Sequence, residues 1–521
     1  MNSTAAVRPR ALPIAALLGA GALALVAGVL AGGNAIPVGA GTFLIATLLA
    51  YGQTVRPIVT WENALLVFIA VLWFVPIKLY RLPVDLPFQL ELYRILIVVL
   101  VLAFVVGSLT TKRPVEAFGA SKPLFVLAAV ALTSQIVNAP EIEVAGSEGQ
   151  AVKSLSLFLS LIVVFLLFAS VLDTLREIER VTVALVLGGV VVAAAALYEG
   201  QTQYNVFDHL ASWVPLERNE REVLELRGGR LRVHASAQHP IAFGAALMML
   251  LPFAVYFAAK ARTRMTRAWW VAGMLVIAAG AAATISRTTV AMGVVMALTA
   301  FGVRRQAVVK LLPLLLVLPL FVHSAAPGAI GGLLKSFGSA GGETLVESLQ
   351  SRSGEGGSGR FADYGPAFDL WVQSPIVGLG LDNPNIATSG ASATESTPGL
   401  TPIVPLIFDN QYLHTFVTLG LLGLAALIWF VWGTARRLLR AAKHVLGLKG
   451  DYIAACGVAC AGYGAGMFFY DSLAFIQVTL LLFIFAALGL KTLSLVTAED
   501  AVGAPAPQPS NQLAPADGTA G

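Results

Sequence analysis

Long runs of apolar residues recur along most of this chain, and they restrict its fold more than any other feature. Runs of about 20 residues, such as 152–172 and 181–198, are long enough to cross the hydrocarbon core of a bilayer as helices. Only 12% of the residues are charged and 57% are hydrophobic, whereas a soluble domain carries roughly 25% charged residues. The sequence therefore predicts an all-α polytopic membrane protein.

Apolar windows and loop charges together predict about 14 transmembrane helices. Their approximate boundaries are 11–32, 35–51, 62–77, 94–110, 123–138, 152–172, 181–198, 240–259, 268–285, 288–303, 307–323, 408–432, 452–469 and 472–490. The predicted order is a cytoplasmic N-terminus (1–10), a transmembrane bundle (11–323) with an outer loop (199–239), a large periplasmic loop (324–407), C-terminal transmembrane helices (408–490) and a disordered cytoplasmic tail (491–521).

Lys and Arg residues set the predicted orientation. Most of them lie in short segments that share one side, such as Arg262–Arg267 and Arg436–Lys449, whereas the loop 138–150 on the other side carries three glutamates and no base. The positive-inside rule places both termini in the cytoplasm. The net charge of +5 is therefore a feature of topology, and no nucleic-acid partner is expected.

The large outer loop has local structure of its own. Aromatic residues recur at helical spacing up to Trp371, and they predict a short amphipathic helix that begins near Pro366. The segment Pro375–Gly380 predicts a tight, glycine-rich turn. The two cysteines, Cys456 and Cys460, lie in one apolar run, and no Cys or His spacing indicates a metal site. No metal and no cofactor are predicted.

A polar cluster stands where an apolar helix begins after this loop. Asp409, Asn410, Gln411 and His414 lie within two helical turns, and Asn410 and His414 share a face. One interpretation is an N-cap, Asp409 or Asn410, followed by an ordinary membrane helix. The other is a catalytic cluster in which Asp409 or His414 accepts a proton. His239 directly precedes Pro240 at the start of another span, which favours a supporting, structural role.

Arginines lie on the outer side, where the positive-inside rule disfavours them. The candidate phosphate ligands among them are Arg230, Arg232, Arg287 and Arg360. The guanidinium fork binds phosphate oxygens in a bidentate manner. An alternative is that these arginines bind lipid headgroups or pair with glutamates of the segment 217–225. Arginines around a diphosphate leaving group, with a base nearby, describe glycosyl transfer from a polyprenyl diphosphate sugar on the outer face.

The order of these motifs resembles the O-antigen ligase and Wzy-type polysaccharide polymerase superfamily of bacterial inner membranes. The similar segments are Arg232 with His239-Pro240, Ser286-Arg287, Arg360, Trp371, Pro375–Gly380, and Asp409-Asn410 followed after nine residues by Gly420-Leu-Leu-Gly423. The ligase motif has His where this chain has Asp409. We expect Gly420 and Gly423 to let a neighbouring helix pack closely.

The resemblance implies a metal-independent, inverting glycosyltransferase in a bacterial inner membrane. Its donor would be a polyprenyl-diphosphate-linked glycan, and its acceptor would be a growing polysaccharide or a lipid. The protein would also contact membrane lipid. A chain-length regulator or a flippase is a candidate partner. The predicted catalytic residues are Asp409 and His414, the diphosphate-binding residues Arg230, Arg232, Arg287 and Arg360, and the supporting residues Asn410 and His239.

Polymerisation of an exopolysaccharide, capsule or O-antigen is favoured over ligation to the lipid A core, because Asp409 departs from the ligase motif. Two other classes compete. A transporter of lipid-linked polysaccharide would line its cavity with charges inside the helices, and the predicted spans are nearly free of them. A non-catalytic partner of an export complex would tolerate replacement of the outer arginines.

Overall fold

The structure is a computed structural model that describes residues 60–82, 91–111, 121–214, 216–219, 226–227, 230–338, 364–381, 386–387 and 406–503. The predicted spans 11–32 and 35–51 lie outside these ranges. Within them, seven helices are long and apolar enough to cross a membrane, and four shorter apolar helices accompany them. The protein is therefore an all-α, multi-pass membrane protein.

Helices overlap every predicted span from residue 62 onward. They are α1 Trp61–Phe74, α2 Leu92–Thr111, α3 Ser121–Val137, α4 Ala139–Val144, α5 Glu148–Val171, α6 Leu175–Thr202, α7 Pro240–Lys260, α8 Arg264–Ala283, α9 Arg287–Leu311, α10 Leu314–Ala325, α11 Ala329–Gly338, α12 Tyr364–Trp371, α13 Gln411–His444, α14 Gly447–Gly466 and α15 Ile476–Gly503. The helix predicted near Pro366 is α12.

Helix α15 forms the centre of the bundle. Its most apolar window is 83% buried, and it packs against α5, α7 and α14. Helix α14 is buried along almost its whole length and consists largely of Gly and Ala, so α13 and α9 approach it closely. Apolar burial and close packing of small residues thus hold together the helices whose ends carry the site.

The C-terminal end of α15 differs from the prediction. The disordered tail was expected from residue 491, but the helix continues to Gly503. Lys491 and Thr492 are buried, and the Thr492 hydroxyl donates to the Leu488 carbonyl at 2.8 Å. A hydroxyl side chain that donates a hydrogen bond to a carbonyl of the preceding turn is compatible with a helix. No proline interrupts this stretch.

Short strands connect the loops at one end of the bundle. The pairs are β1 Tyr80–Arg81 with β2 Glu217–Arg218, β3 Leu226–Arg227 with β4 Arg230–Leu231, and β5 Ile386–Ala387 with β6 Leu406–Ile407. The first two pairs are antiparallel and the third is parallel. We call this end the loop end; its described segments are 78–81, 206–214, 216–219, 226–227, 230–239, 375–380 and 467–475.

Candidate functional site

Helix α13 begins at the loop end with the polar cluster. Asn410 is its N-cap, because its side-chain oxygen accepts hydrogen bonds from the backbone N–H groups of Tyr412 and Leu413 at 3.0 and 3.2 Å. The Asn410 amide also donates to the Tyr364 hydroxyl of α12 at 3.3 Å. The capping interpretation is thus confirmed for Asn410. Asp409, just before the cap, is partly exposed.

His414 meets an acid that the sequence analysis did not single out. Its Nδ1 lies 3.0 Å from Oδ2 of Asp471, and their side chains are 12% and 1% exposed. Asp471 belongs to the short connection between α14 and α15. A carboxylate beside Nδ1 favours the tautomer with the proton on Nδ1, which leaves Nε2 able to accept one. The available sequence signal was an acid in the short break between the predicted spans 452–469 and 472–490.

Gln411 holds this connection against the first turn of α13. Its side-chain oxygen accepts the backbone N–H of Leu473 at 2.6 Å, and its amide donates to the Thr415 hydroxyl at 3.0 Å. Its own backbone N–H donates to the Met467 carbonyl at 2.8 Å. Gln411 is 2% exposed. It therefore fixes the element that carries Asp471 relative to the helix that carries His414.

Helix α13 is broken one and a half turns beyond His414. Gly420 has φ 64° and ψ −166°, a conformation that is essentially restricted to glycine. A Cβ atom at Gly420 would lie 2.4 Å from the carbonyl oxygen of Ile376. Gly420 was expected to let a neighbouring helix pack closely; in the structure it makes room for the backbone of the turn at Pro375–Gly380. At Gly423 the nearest atoms to an added Cβ belong to Leu419 of the same helix.

The turn at 375–380 supplies hydrogen bonds that the broken helix cannot make itself. The backbone N–H groups of Leu379 and Gly380 donate to the carbonyls of Val417 and Thr418, both at 3.0 Å. In the opposite direction, Leu421 donates to the Pro375 carbonyl at 3.0 Å. The two glycine motifs, 40 residues apart in the chain, therefore form one backbone joint.

Helix α12 is fixed to the same joint. The indole N–H of Trp371 donates to the Pro375 carbonyl at 3.0 Å, and its ring stacks on Phe416 of α13 with centroids 4.7 Å apart. Phe368, another aromatic residue of α12, touches Trp371 but is 55% exposed. The large loop thus returns to the bundle through α12, beside the start of α13.

One predicted arginine, Arg232, contacts the segment that leads to another, Arg287. Arg232 is 8% exposed, and its Nε donates to the Thr284 carbonyl at 3.2 Å. Thr284 stands three residues before Arg287, which is exposed at the start of α9. Arg230 lies in β4, but its side chain is outside the part of the chain that the structure describes, as is the whole of Arg360.

A buried acid shapes the segment that follows Arg232. Glu199, 3% exposed, accepts the backbone N–H of Ala235 at 2.8 Å and that of His234 at 3.4 Å. Ala235 has a positive φ of 46°, which a residue other than glycine rarely adopts. Glu199 therefore stabilises a strained bend directly after Arg232.

The same segment packs against the connection that carries Asp471. The Gln238 side-chain oxygen accepts the backbone N–H of Ile476 at 3.0 Å, and the His239 ring lies 5.4 Å from that of Phe475. His239 caps α7, because its Nδ1 accepts the Ile241 N–H at 3.1 Å. The structural role expected for His239 is therefore present. The segment 232–239, which we call the arginine segment, and the His414–Asp471 pair thus border the same connection between α14 and α15.

No group of three or more His, Cys, Asp or Glu side chains suited to a metal ion occurs among the residues that the structure describes. The described side chains offer acid–base chemistry at His414 and Asp471 and anion binding by Arg232 and Arg287.

Comparison with known protein families gives a match. The family model described as O-Antigen ligase matches residues 242–428. That range runs from α7 through the joint at Gly420, and it leaves Arg232 and Asp471 outside. No curated protein matches the chain significantly. The family match covers residues 242–428 of the 521, and together with the motifs in their order it supports an assignment of this segment to the O-antigen ligase and Wzy-type superfamily.

Proposed function

We propose that this protein transfers a glycan from a polyprenyl diphosphate to a sugar hydroxyl on the outer face of the bacterial inner membrane, and that it thereby polymerises an exopolysaccharide, capsule or O-antigen. The family match over residues 242–428 supports glycosyl transfer of this general kind. The contact between His414 and the buried Asp471 is the observation that carries the proposal. The outer location follows from the distribution of Lys and Arg, with both termini cytoplasmic.

In the proposed step, the oxygen of the acceptor hydroxyl attacks the anomeric carbon of the donor glycan. The hydroxyl proton passes to Nε2 of His414, while Asp471 stabilises the imidazolium that forms. The bond between the anomeric carbon and the diphosphate oxygen breaks, and the polyprenyl diphosphate leaves with the bonding electrons. A single displacement of this kind inverts the anomeric configuration and needs no metal if cationic side chains stabilise the leaving group.

Among the residues whose side chains the structure describes, Arg232 and Arg287 are the proposed ligands of the diphosphate. Arg230 and Arg360 are proposed as further ligands. Arg232 is well suited, because its Nε bond to the Thr284 carbonyl orients the guanidinium and because its burial strengthens electrostatic interactions. Arg→Lys substitution would retain the charge but lose the bidentate fork. We expect Arg232→Lys to reduce polymer formation strongly.

The proposed base is His414 and not Asp409, although Asp409 occupies the position of the ligase histidine. His414 has a buried carboxylate partner at 3.0 Å, whereas Asp409 lies outside the helix, next to the cap. The absence of the ligase histidine at 409 also supports polymerisation over ligation to the lipid A core. A chain-length regulator and a flippase are the partners that such a polymerase would use.

The test is polymer formation by a deletion strain that carries full-length variants at equal expression. His414→Ala and Asp471→Asn should each lower polymer formation by about 10²-fold or more, as expected for loss of a general base or of its orienting group. His323→Ala and Asp369→Asn replace exposed residues and serve as matched controls. A smaller loss is expected for Asp409→Asn than for Asp471→Asn.

Two results would contradict the assignment. Normal polymer from both His414→Ala and Asp471→Asn would place the base elsewhere. Abolition by Asp409→Asn, with normal polymer from His414→Ala, would make Asp409 the base. Analysis of the carrier then separates the two reactions, since a polymerase extends a glycan on polyprenyl diphosphate and a ligase places it on the lipid A core.

A further inference from the structure

A second group of cationic side chains lies at the loop end, on elements that the proposed diphosphate site does not use. Lys78 follows α1, Arg94 lies in the first turn of α2, and Lys153 lies near the start of α5. The motifs of the family resemblance include none of these residues, and all of them lie outside the matched range 242–428.

Direct contacts connect this group to the connection that carries Asp471. The Lys78 Nζ lies 3.5 Å from the carbonyl oxygen of Ala474, three residues after Asp471. The Lys78 backbone N–H donates to Oε2 of Glu91 at 2.7 Å, and an Arg94 nitrogen lies 3.3 Å from Oε1 of the same carboxylate. Glu91, 3% exposed, thus joins the Lys78 backbone to the Arg94 guanidinium, while the Lys78 ammonium contacts the connection that carries Asp471.

The backbone of Lys78 is strained. Its φ is 66°, and the left-handed region is unfavourable for a residue with a Cβ atom such as lysine. The hydrogen bond from its N–H to Glu91 holds this conformation. Strained residues are concentrated at functional sites, so the conformation is itself a reason to ask what the Lys78 side chain binds.

The charges around Lys78 are unequal. Burial lowers the pKa of Lys78, Glu91 and Asp471 raise it, and Lys153 and Arg94 lower it further. Among the residues that the structure describes, three cationic side chains and two carboxylates act on this region, and one of those carboxylates, Asp471, already lies against His414. The Arg94 side chain remains 21% exposed, so an incoming anion can reach it and would balance the excess positive charge.

We propose that Lys78, Arg94 and Lys153 form a second phosphate site, which binds the polyprenyl diphosphate of the second lipid-linked substrate. This inference rests on the proposed function. A polymerase joins two glycans that each carry a diphosphate, and Arg232 and Arg287 account for one of them. The second site borders the Asp471 connection on the side of α1 and α2, whereas the arginine segment borders it through Gln238 and His239. The two diphosphates would thus flank the proposed base.

Substitutions can remove the charges and keep the local fold. Asparagine adopts the left-handed region more readily than lysine, and Lys78→Asn keeps the backbone N–H that Glu91 accepts. Arg94→Gln is an independent second variant. Arg81→Gln is the matched control, because Arg81 is an exposed base at the same end that pairs with Glu217 at 2.9 Å. Each variant must elute as a single species in size-exclusion chromatography.

The experiment counts bound lipids on the full-length protein in phosphatidylcholine nanodiscs by native mass spectrometry. The probe is a polyprenyl diphosphate without glycan. The wild type and Arg81→Gln should bind two molecules, whereas Lys78→Asn and Arg94→Gln should bind the second about tenfold or more weakly, because charge-assisted hydrogen bonds are lost. Arg232→Gln should likewise weaken the binding of one polyprenyl diphosphate molecule. The double variant Lys78→Asn/Arg232→Gln should weaken the binding of both molecules.

The inference would be overturned if the wild type bound one molecule, or if Lys78→Asn and Arg94→Gln both still bound two molecules with unchanged affinity. It would also be overturned if equimolar phosphatidylglycerol displaced the second molecule, because the site would then be a general site for lipid headgroups. The count requires no turnover. A protein that makes polymer but binds one diphosphate would therefore refute this inference alone. One that binds two but forms no glycosidic bond would refute the proposed function and leave the second site standing.

Discussion

Replacement of Gly420 by alanine should separate the 375–380 turn from α13. Gly420 has φ 64° and ψ −166°, and the new Cβ would lie 2.4 Å from the oxygen and 2.5 Å from the carbon of the Ile376 carbonyl. These are backbone atoms, so a side-chain rotation cannot relieve the overlap. The alanine variant must either hold a strained conformation or release the turn.

The energies of these two responses are comparable. Release of the turn breaks four backbone hydrogen bonds, donated by Leu379, Gly380, Leu421 and Leu422, at a cost of about 4 kcal/mol if each contributes ~1 kcal/mol. Retention of the turn costs about 1–3 kcal/mol of backbone strain and a further 1–3 kcal/mol or so for the steric overlap. Most of the free energy that keeps the turn docked is therefore lost. At 1.4 kcal/mol per tenfold change, the released population rises by up to about a thousandfold.

Hydrogen exchange of the full-length protein measures this directly, because the amides of Leu379 and Gly380 exchange only when the turn is released. Protection of a peptide covering 375–381 should fall by two to three orders of magnitude, roughly the calculated change. Gly302→Ala is the control, since an added Cβ there meets no atom within 4 Å. Unchanged protection in Gly420→Ala, with polymer formation at the wild-type level, would refute the role of the joint.

Two further predictions concern the arginine segment and the orientation. Glu199→Gln removes the charge that holds the bend at Ala235, so exchange in the segment 232–238 should rise by roughly tenfold; unchanged exchange would show that the carboxylate does not hold it. For the orientation, Val144→Cys and Leu446→Cys introduce cysteines at positions that are 91% and 84% exposed. Membrane-impermeant maleimide should label the cysteine at 144 in intact spheroplasts, and the cysteine at 446 only after permeabilisation. The reverse labelling pattern would show that the predicted orientation is wrong.

Apolar run length was sufficient to predict most of the described fold, because each membrane helix satisfies its own backbone and needs little from its neighbours. The short helix α12 and the capping role of Asn410 were likewise local, since spacing and a polar residue before an apolar run determine them. The tail was misjudged at its start because the apolar run weakens near residue 490, whereas the helix itself continues through Lys491 and Thr492.

The features that sequence reasoning missed all depend on contacts between distant segments. Asp471 stood between two predicted spans, and only the packing of α13 against the α14–α15 connection places it beside His414. Gly420 fitted the pattern of a helix-packing glycine, and only its φ and its contact with Ile376 identify it as the site of a joint. Lys78 gave no local signal, because glycine and asparagine are the residues usually expected at positive φ.

The broken helix also bears on the order in which the protein is made. The backbone groups exposed around Gly420 cannot remain without hydrogen bonds in hydrocarbon. Their partners in the 375–380 turn, and the Ser134 hydroxyl that donates to the Thr418 carbonyl at 3.2 Å, all precede α13 in the chain. A ribosome working from the N-terminus therefore delivers these partners first, and α13 enters the bilayer with its complement already translated. Circular permutation that placed α13 ahead of the turn would reverse that sequence and expose the break during insertion.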